Sequence, residues 1–260
     1  MISQDKSSFT YRLFCLTWNL AKIVQSSASS APSVIKRIVA NGIKSFFLDG
    51  PAGRLEALLN EGEQGATHAA LVCHPHPLFG GTMHNKVVYQ AMKTLSGFGF
   101  PVLRFNFRGA GMSEGEHDRG QGEQEDVKAA LNWLDAGFHL PIIFCGFSFG
   151  AATGLQVACS DSHSVGLISL GTPVGAEGRA YTYSFLRECH RPKLFVSGSR
   201  DQYGPQENLK SVFDAASEPK EMVIVEGGDH FFESHLTEMQ AAIHDWVSKL
   251  FKPGRQAEAS

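Results

Sequence analysis

The chain has 260 residues, 43% hydrophobic and 19% charged, with a formal net charge of -3. These values suit an ordinary globular protein, and one α/β domain of this length can bury a full core. With 23 basic against 26 acidic side chains and no basic block, there is no electrostatic footprint for nucleic acid or an anionic membrane, so the expected partner is a small molecule.

Residues 13–24, LFCLTWNLAKIV, precede the small-residue stretch QSSASSAPS, a pattern similar to a signal peptide with its cleavage region. Asn19 and Lys22 interrupt the apolar run, which is too short to span a bilayer. The expectation for 1–37 is a poorly ordered or amphipathic extension, with a cytoplasmic location and secretion as the lesser alternative. The five cysteines (Cys15, Cys73, Cys145, Cys159, Cys189) are odd in number, scattered and without a CxxC pair. They suggest neither a disulfide framework nor a zinc knuckle, and a reducing compartment is expected.

Next, KSFFLDGPAGRLEALLN holds two apolar runs around Asp49-Gly50-Pro51-Ala52-Gly53, the signature of an antiparallel hairpin. Continuous apolar runs follow at 68–74, 101–107, 141–147, 165–171, 193–198 and 221–227. Without alternation they suit strands buried on both faces of a parallel sheet. Between them, 85–97, 123–136, 149–159, 205–217 and 237–251 carry helical spacing. The alternation predicts right-handed βαβ units in one domain over 38–251, with helices on both faces and a flexible tail at 252–260.

The first of these strands ends in LVCHPHPLFGG, where Cys73, His74 and His76, with His84 downstream, raise the question of a metal. Cys73 and His74 are consecutive at a strand end and point to opposite faces, and no carboxylate stands at ligand spacing. No metal or cofactor is therefore expected. Pro75 and Pro77 lack N–H groups and restrict the loop, which leaves His76, Leu78 and Phe79 as its nearest backbone donors.

The strand PIIFCGF runs into Gly146-Phe147-Ser148-Phe149-Gly150 and then a helical segment, which matches G-x-S-x-G in its strand-turn-helix context. Glycines on both sides let a strained serine approach strand and helix without Cβ collisions, making Ser148 the candidate nucleophile. A serine that merely caps a helix is the simpler alternative. A serine hydroxyl needs a histidine to take its proton and a carboxylate to orient that histidine. Asp201 stands just beyond the strand KLFVSG and His230 just beyond EMVIVEG. Asp229 competes with Asp201, but neighbouring residues rarely face each other well enough for the orienting bond. His235 and the remaining histidines read as surface or structural groups.

Taken in order, HPHPLFGGTMHNKVVYQ, LRFNFRGAGMSEGE, GFSFGA, SGSRDQYGP and GGDHFF resemble the α/β-hydrolase fold superfamily. The closer resemblance is to a bacterial branch of small serine hydrolases, dienelactone-hydrolase-like and acyl-peptidase-like. The resemblance implies an α/β-hydrolase fold and, by position, Ser148 as nucleophile, Asp201 as orienter and His230 as general base. It also casts the loop after 68–74 as an oxyanion donor, with the His76 amide at the position of relatives that continue His-Gly-x; Phe149 N–H is the other donor. The lipase-type HGGG is absent, and the segment between 165–171 and 193–198 is short, which predicts an open site without a large cap. The expected chemistry is carboxylesterase-like hydrolysis of small esters through an acyl-enzyme. The alternatives are a peptidase or amidase of the same fold and a catalytically silent binding protein. Expected pocket walls are Leu78, Phe79, Phe147, Phe149, Met112, Tyr203, Phe231 and Phe232. Arg104 and Arg108 are expected in surface salt bridges with the acidic stretch 114–126.

Overall fold

In the computed structural model, residues 42–175 and 181–251 are described; the expected extension 1–37 and tail 252–260 lie outside them. Glycines at both ends of the Gly50-Pro51-Ala52-Gly53 turn, the second at φ +124°, close the hairpin of β1 (Ile43–Gly50) and β2 (Gly53–Asn60) in full antiparallel register. The next strands are β3 (Ala69–Cys73), β4 (Val102–Phe105), β5 (Ile142–Phe147), β6 (Ser164–Leu170), β7 (Lys193–Gly198) and β8 (Lys220–Val225). Together these eight form one sheet in the order β1-β2-β4-β3-β5-β6-β7-β8, parallel from β4 onward. Every residue of β3, β4, β5 and β7 is buried, as their unbroken apolar runs require.

The covering helices are α1 (Lys86–Ser96), α2 (Gln121–Phe138), α3 (Phe149–Ser160), α4 (Gln206–Ala215) and α5 (Leu236–Leu250). Val87, Val88 and Ala91 of α1 share one core with Ile243, Trp246 and Val247 of α5. Val127 and Leu131 of α2, Leu155 of α3 and Leu209 of α4 share the other. The two cores lie on opposite faces because alternate strand residues feed them: Leu71 and Cys73 one, Ala70 and Val72 the other.

Two expectations are corrected here. Arg108 does pair within the acidic stretch, yet the pair is internal: Nη2 lies 2.7 Å from Asp126 Oδ1, and the Asp126 side chain is fully buried. The Asp126 carboxylate also accepts from the Arg108 N–H at 3.1 Å, so α2 clamps the loop after β4 from inside. Arg104 is buried too, donating to the Met83 carbonyl at 3.1 Å rather than to a surface acid.

The second correction concerns cysteine. Cys159, near the end of α3, is bonded to Cys189 with Cα atoms 5.7 Å apart, and Arg191 donates to the Cys159 and Asp161 carbonyls beside the bond. Tertiary folding returns the chain to the outer end of α3 after 30 residues, which spacing alone does not reveal. The reading of the cysteine spacing, which suggested no disulfide framework, is corrected at this pair. Closing a loop of that length is worth about 3.5 kcal/mol in the chain-entropy account. Calorimetry with and without reductant should therefore show a melting temperature lower by about 10 °C when reduced. Equal melting temperatures would mean that the two thiols are not joined in solution.

Candidate active site

β5 passes into α3 through a turn only one residue wide, and that residue is Ser148, at φ 53° and ψ -117°. A non-glycine residue at positive φ is strained, and the surroundings hold it there. Its N–H donates to the Leu170 carbonyl at 2.9 Å, and its own carbonyl accepts from Ala151 and Ala152. A Cβ on Gly146 would come within 2.6 Å of the Ala151 and Gly150 backbone, and one on Gly150 within 2.6 Å of the Cys73 and His74 carbonyls. Both glycines are thus fixed by close backbone approach, which is why the pentapeptide reads as it does.

The two following crossings deliver the partners. Asp201 lies beyond the end of β7 and His230 beyond the end of β8, both on the edge of the sheet that carries Ser148. His230 Nε2 is 2.9 Å from Ser148 Oγ, and His230 Nδ1 is 2.9 Å from each Asp201 carboxylate oxygen. The Asp201 carboxylate is held in turn. Its Oδ1 accepts from the Tyr203 and Gly204 N–H groups at 2.8 and 3.1 Å, and its Oδ2 from the Ser197 hydroxyl at 3.3 Å. Rings of Phe147, Tyr203 and Phe231 surround the His230 imidazole, with centroids at 5.1, 4.6 and 5.2 Å. Asp229, the competing carboxylate, is occupied elsewhere: Oδ1 accepts from Phe231 N–H and Glu233 N–H and caps the turn after His230.

Opposite this relay lies the proline-bearing loop. His76 caps a short 3-10 turn at Pro77–Phe79, where its Nδ1 accepts from the Leu78 N–H at 3.2 Å, and its ring packs on Phe149 and His117. Phe149 begins α3, so its N–H has no carbonyl one turn back to bond within the helix. His74 is fully buried and has both ring nitrogens engaged, with Nδ1 2.6 Å from the Pro75 carbonyl and Nε2 2.9 Å from the Phe107 nitrogen. The tautomer that satisfies both contacts carries its proton on Nδ1, donates to Pro75 and accepts from the Phe107 N–H. Such an imidazole has no lone pair left for a metal. In a trans peptide the C=O and N–H point in opposite directions, so tying the Pro75 carbonyl to His74 turns the His76 N–H away from that interior ring.

Burial lowers the His74 pKa to about 4, from 6.5. Between those values the unfolded chain binds a proton that the folded one refuses, so stability is full above pH 6.5 and falls as pH drops toward 4. The group contributes about 3 kcal/mol in total, and about 2 kcal/mol of it is gone at pH 5. Urea unfolding at pH 7 and pH 5 checks this: wild-type protein should lose that difference beyond what a His74→Phe variant loses. Equal pH dependence in the two would show that His74 is not held neutral.

Ser148, Phe149 and His230 face a cavity of about 230 Å³. Of the side chains expected to line it, Phe79, Phe149, Tyr203 and Phe231 do so. Leu78 and Met112 instead point outward, 67% and 63% exposed: Leu78 rides the outside of the 3-10 turn, and the Met112 backbone is pinned to Glu56. Phe147 and Phe232 are fully buried and back the wall from within the α1–α5 core. Sequence reading missed Pro173 and Tyr181, which line the cavity from the segment after β6, and Asn85, which lines it from the N-cap of α1. Among the described residues no Lys, Arg, Asp or Glu lines this space.

Comparison with known proteins gives the same fold. The profile of the alpha/beta hydrolase domain family matches residues 69–249. An uncharacterised protein of Rickettsia prowazekii is 35% identical over 209 residues, covering 78% of this chain and 87% of its own. The solved alpha-beta serine hydrolase homologue from Coxiella burnetii is 37% identical with a TM-score of 0.73, covering 81% of this chain and 99% of that one. A Xanthomonas campestris protein described as an a/b serine hydrolase without lid is 30% identical with a TM-score of 0.72, over 82% and 97% of the two chains. With its sheet order, its serine at the β5–α3 turn and these relatives, the chain belongs to the alpha/beta hydrolase domain family.

Proposed function

We propose that the protein is a serine hydrolase that cleaves small, uncharged carboxylic esters through an acyl-enzyme intermediate. The observation that carries this reading is the continuous hydrogen-bonded line from Ser148 Oγ through the His230 imidazole to the Asp201 carboxylate. In the proposed reaction, His230 Nε2 takes the Ser148 proton as Oγ bonds to the ester carbonyl carbon. The resulting oxyanion receives N–H donation from Phe149 and His76. As the carbon–oxygen bond to the alcohol breaks, His230 passes the proton to the departing oxygen; water then repeats the sequence and frees the acid. Asp201 keeps the imidazole proton on Nδ1 and offsets the positive charge that develops on the ring.

Esters are favoured over peptides because, among the described residues, the aromatic space around Ser148 presents no charged side chain to anchor a peptide terminus. The lidless relative, the short β6–β7 segment and the half-buried Ser148 support an open approach to the site. A fluorophosphonate probe tests the nucleophile: it should label wild-type protein and leave Ser148→Ala unlabelled. A panel of p-nitrophenyl esters beside aminoacyl p-nitroanilides tests the bond. Turnover confined to the anilides would replace the esterase reading with a peptidase one.

A further inference from the structure

Beside the aromatic cavity runs a second, larger and more open groove of about 710 Å³, which shares Gly80, Asn85 and Phe231 with it. The two differ in chemistry. Where the cavity holds aromatic rings and, among the described residues, no charged side chain, the groove is walled by Thr82 and His84 of the loop before α1, by Lys86 at its start, and by Glu233 and Ser234 of the loop before α5. Neither the Lys86 ammonium nor the Glu233 carboxylate takes a hydrogen bond or ion pair among the described residues, while both stand exposed along the groove.

Position relative to the reacting atoms says which part of an ester each space receives. Ser148 lines the cavity and not the groove, so an acyl group bonded to Oγ stays in the cavity. The departing alcohol must lie within reach of His230 Nε2, which protonates it. Phe231, the residue after His230, forms the shared wall, and Glu233, Ser234 and Leu236 extend the groove along the same loop and into α5. An alcohol that leaves past His230 therefore enters polar surroundings.

We infer that this groove is a leaving-group subsite for a polyhydroxylated, uncharged alcohol, so that the substrate pairs an apolar acyl group with a glycerol-like or sugar-like alcohol. This inference rests on the serine-hydrolase reading above. Opposite charges on the two walls select hydroxyl groups. A polyol can donate through one hydroxyl to Glu233 and accept through another from Lys86, whereas an alcohol of either net charge trades attraction to one of them against repulsion from the other. An aliphatic alcohol would leave both solvated groups without a new partner and gain little.

The test compares two esters of one acid whose alcohols share a carbon skeleton, monohexanoylglycerol and propyl hexanoate, with p-nitrophenyl hexanoate as the general measure of hydrolysis. Hydrogen bonds to charged groups predict that wild-type kcat/KM is roughly tenfold higher for the glycerol ester than for the propyl ester. The Lys86→Met/Glu233→Met double variant should bring that ratio close to one. The ratio is internal to each preparation, so partial misfolding does not move it. A wild-type ratio at or below one, or a ratio the double variant leaves unchanged, overturns the subsite while p-nitrophenyl turnover keeps the hydrolase reading. Absence of p-nitrophenyl turnover by wild-type protein, with no fluorophosphonate labelling of Ser148, overturns both. Preference for phosphocholine-bearing or carboxylate-bearing alcohols over glycerol would overturn the uncharged specificity.

Discussion

Replacing Ser148 by alanine is expected to lower kcat for p-nitrophenyl esters about a millionfold, the scale on which removal of an activated serine acts in hydrolases that use one. The reasoning is local. Ser148 Oγ is the group hydrogen-bonded to His230 Nε2, so without it the imidazole has no nucleophile to deprotonate except water. Residual turnover should remain above the solution rate because the Phe149 and His76 amides and the aromatic cavity stay in place. Folding should be little affected, since the main-chain bonds of residue 148 to Leu170, Ala151 and Ala152 do not involve the hydroxyl. The measurement is initial-rate kinetics at high enzyme concentration beside a thermal melt. A variant that keeps a tenth of wild-type kcat while melting normally would remove Ser148 from the chemistry.

Much of this site was legible in the sequence for a physical reason. Parallel strands covered on both faces read as unbroken apolar runs, and α/β topology sends the residues just past their C-terminal ends to one edge of the sheet. Ser148 directly follows such a run and Asp201 and His230 stand a few residues beyond theirs, so their convergence needed no knowledge of distances. Gly146 and Gly150 were legible too, because glycine is the residue that lets two backbones approach to within a Cβ radius. What was not legible depends on direction or on distant chain. Leu78 and Met112 sit in irregular segments with no period to say which way a side chain points, and both turn to solvent. The Arg108–Asp126 pair was expected among the acidic residues, but its burial follows from how α2 docks over the loop after β4. Cys159 and Cys189 belong to different crossover units, and nothing local pairs them. The hydrogen bonding of His74 was hidden as well, because its two partners are a carbonyl one residue on and an amide 33 residues away.

An Asp201→Asn substitution should cost about ten-thousandfold in kcat with KM nearly unchanged, and its argument turns on which way the amide faces. The Tyr203 and Gly204 N–H groups both point at the Oδ1 position, so an asparagine there keeps its oxygen toward them and places its NH2 at the Oδ2 position. The Ser197 hydroxyl can reverse from donor to acceptor and meet that NH2, which lets the variant fold with its loop intact. At His230 the exchange is not neutral. Oδ2 lies as close to Nδ1 as Oδ1 does, 2.9 Å, so the new NH2 donates to Nδ1 and favours the tautomer protonated on Nε2. That tautomer offers Ser148 a donor where a base is needed, and the neutral amide no longer offsets the charge of an imidazolium. Fluorophosphonate labelling should slow in proportion to kcat, while a urea denaturation curve moves little. Asp229→Asn supplies the contrast: its carboxylate caps the Phe231 and Glu233 amides rather than touching His230, so its loss should reduce kcat less than about tenfold and act mainly on stability. If the two variants exchange these phenotypes, the carboxylate that orients His230 during turnover is Asp229, and the loop after β8 must rearrange when substrate binds.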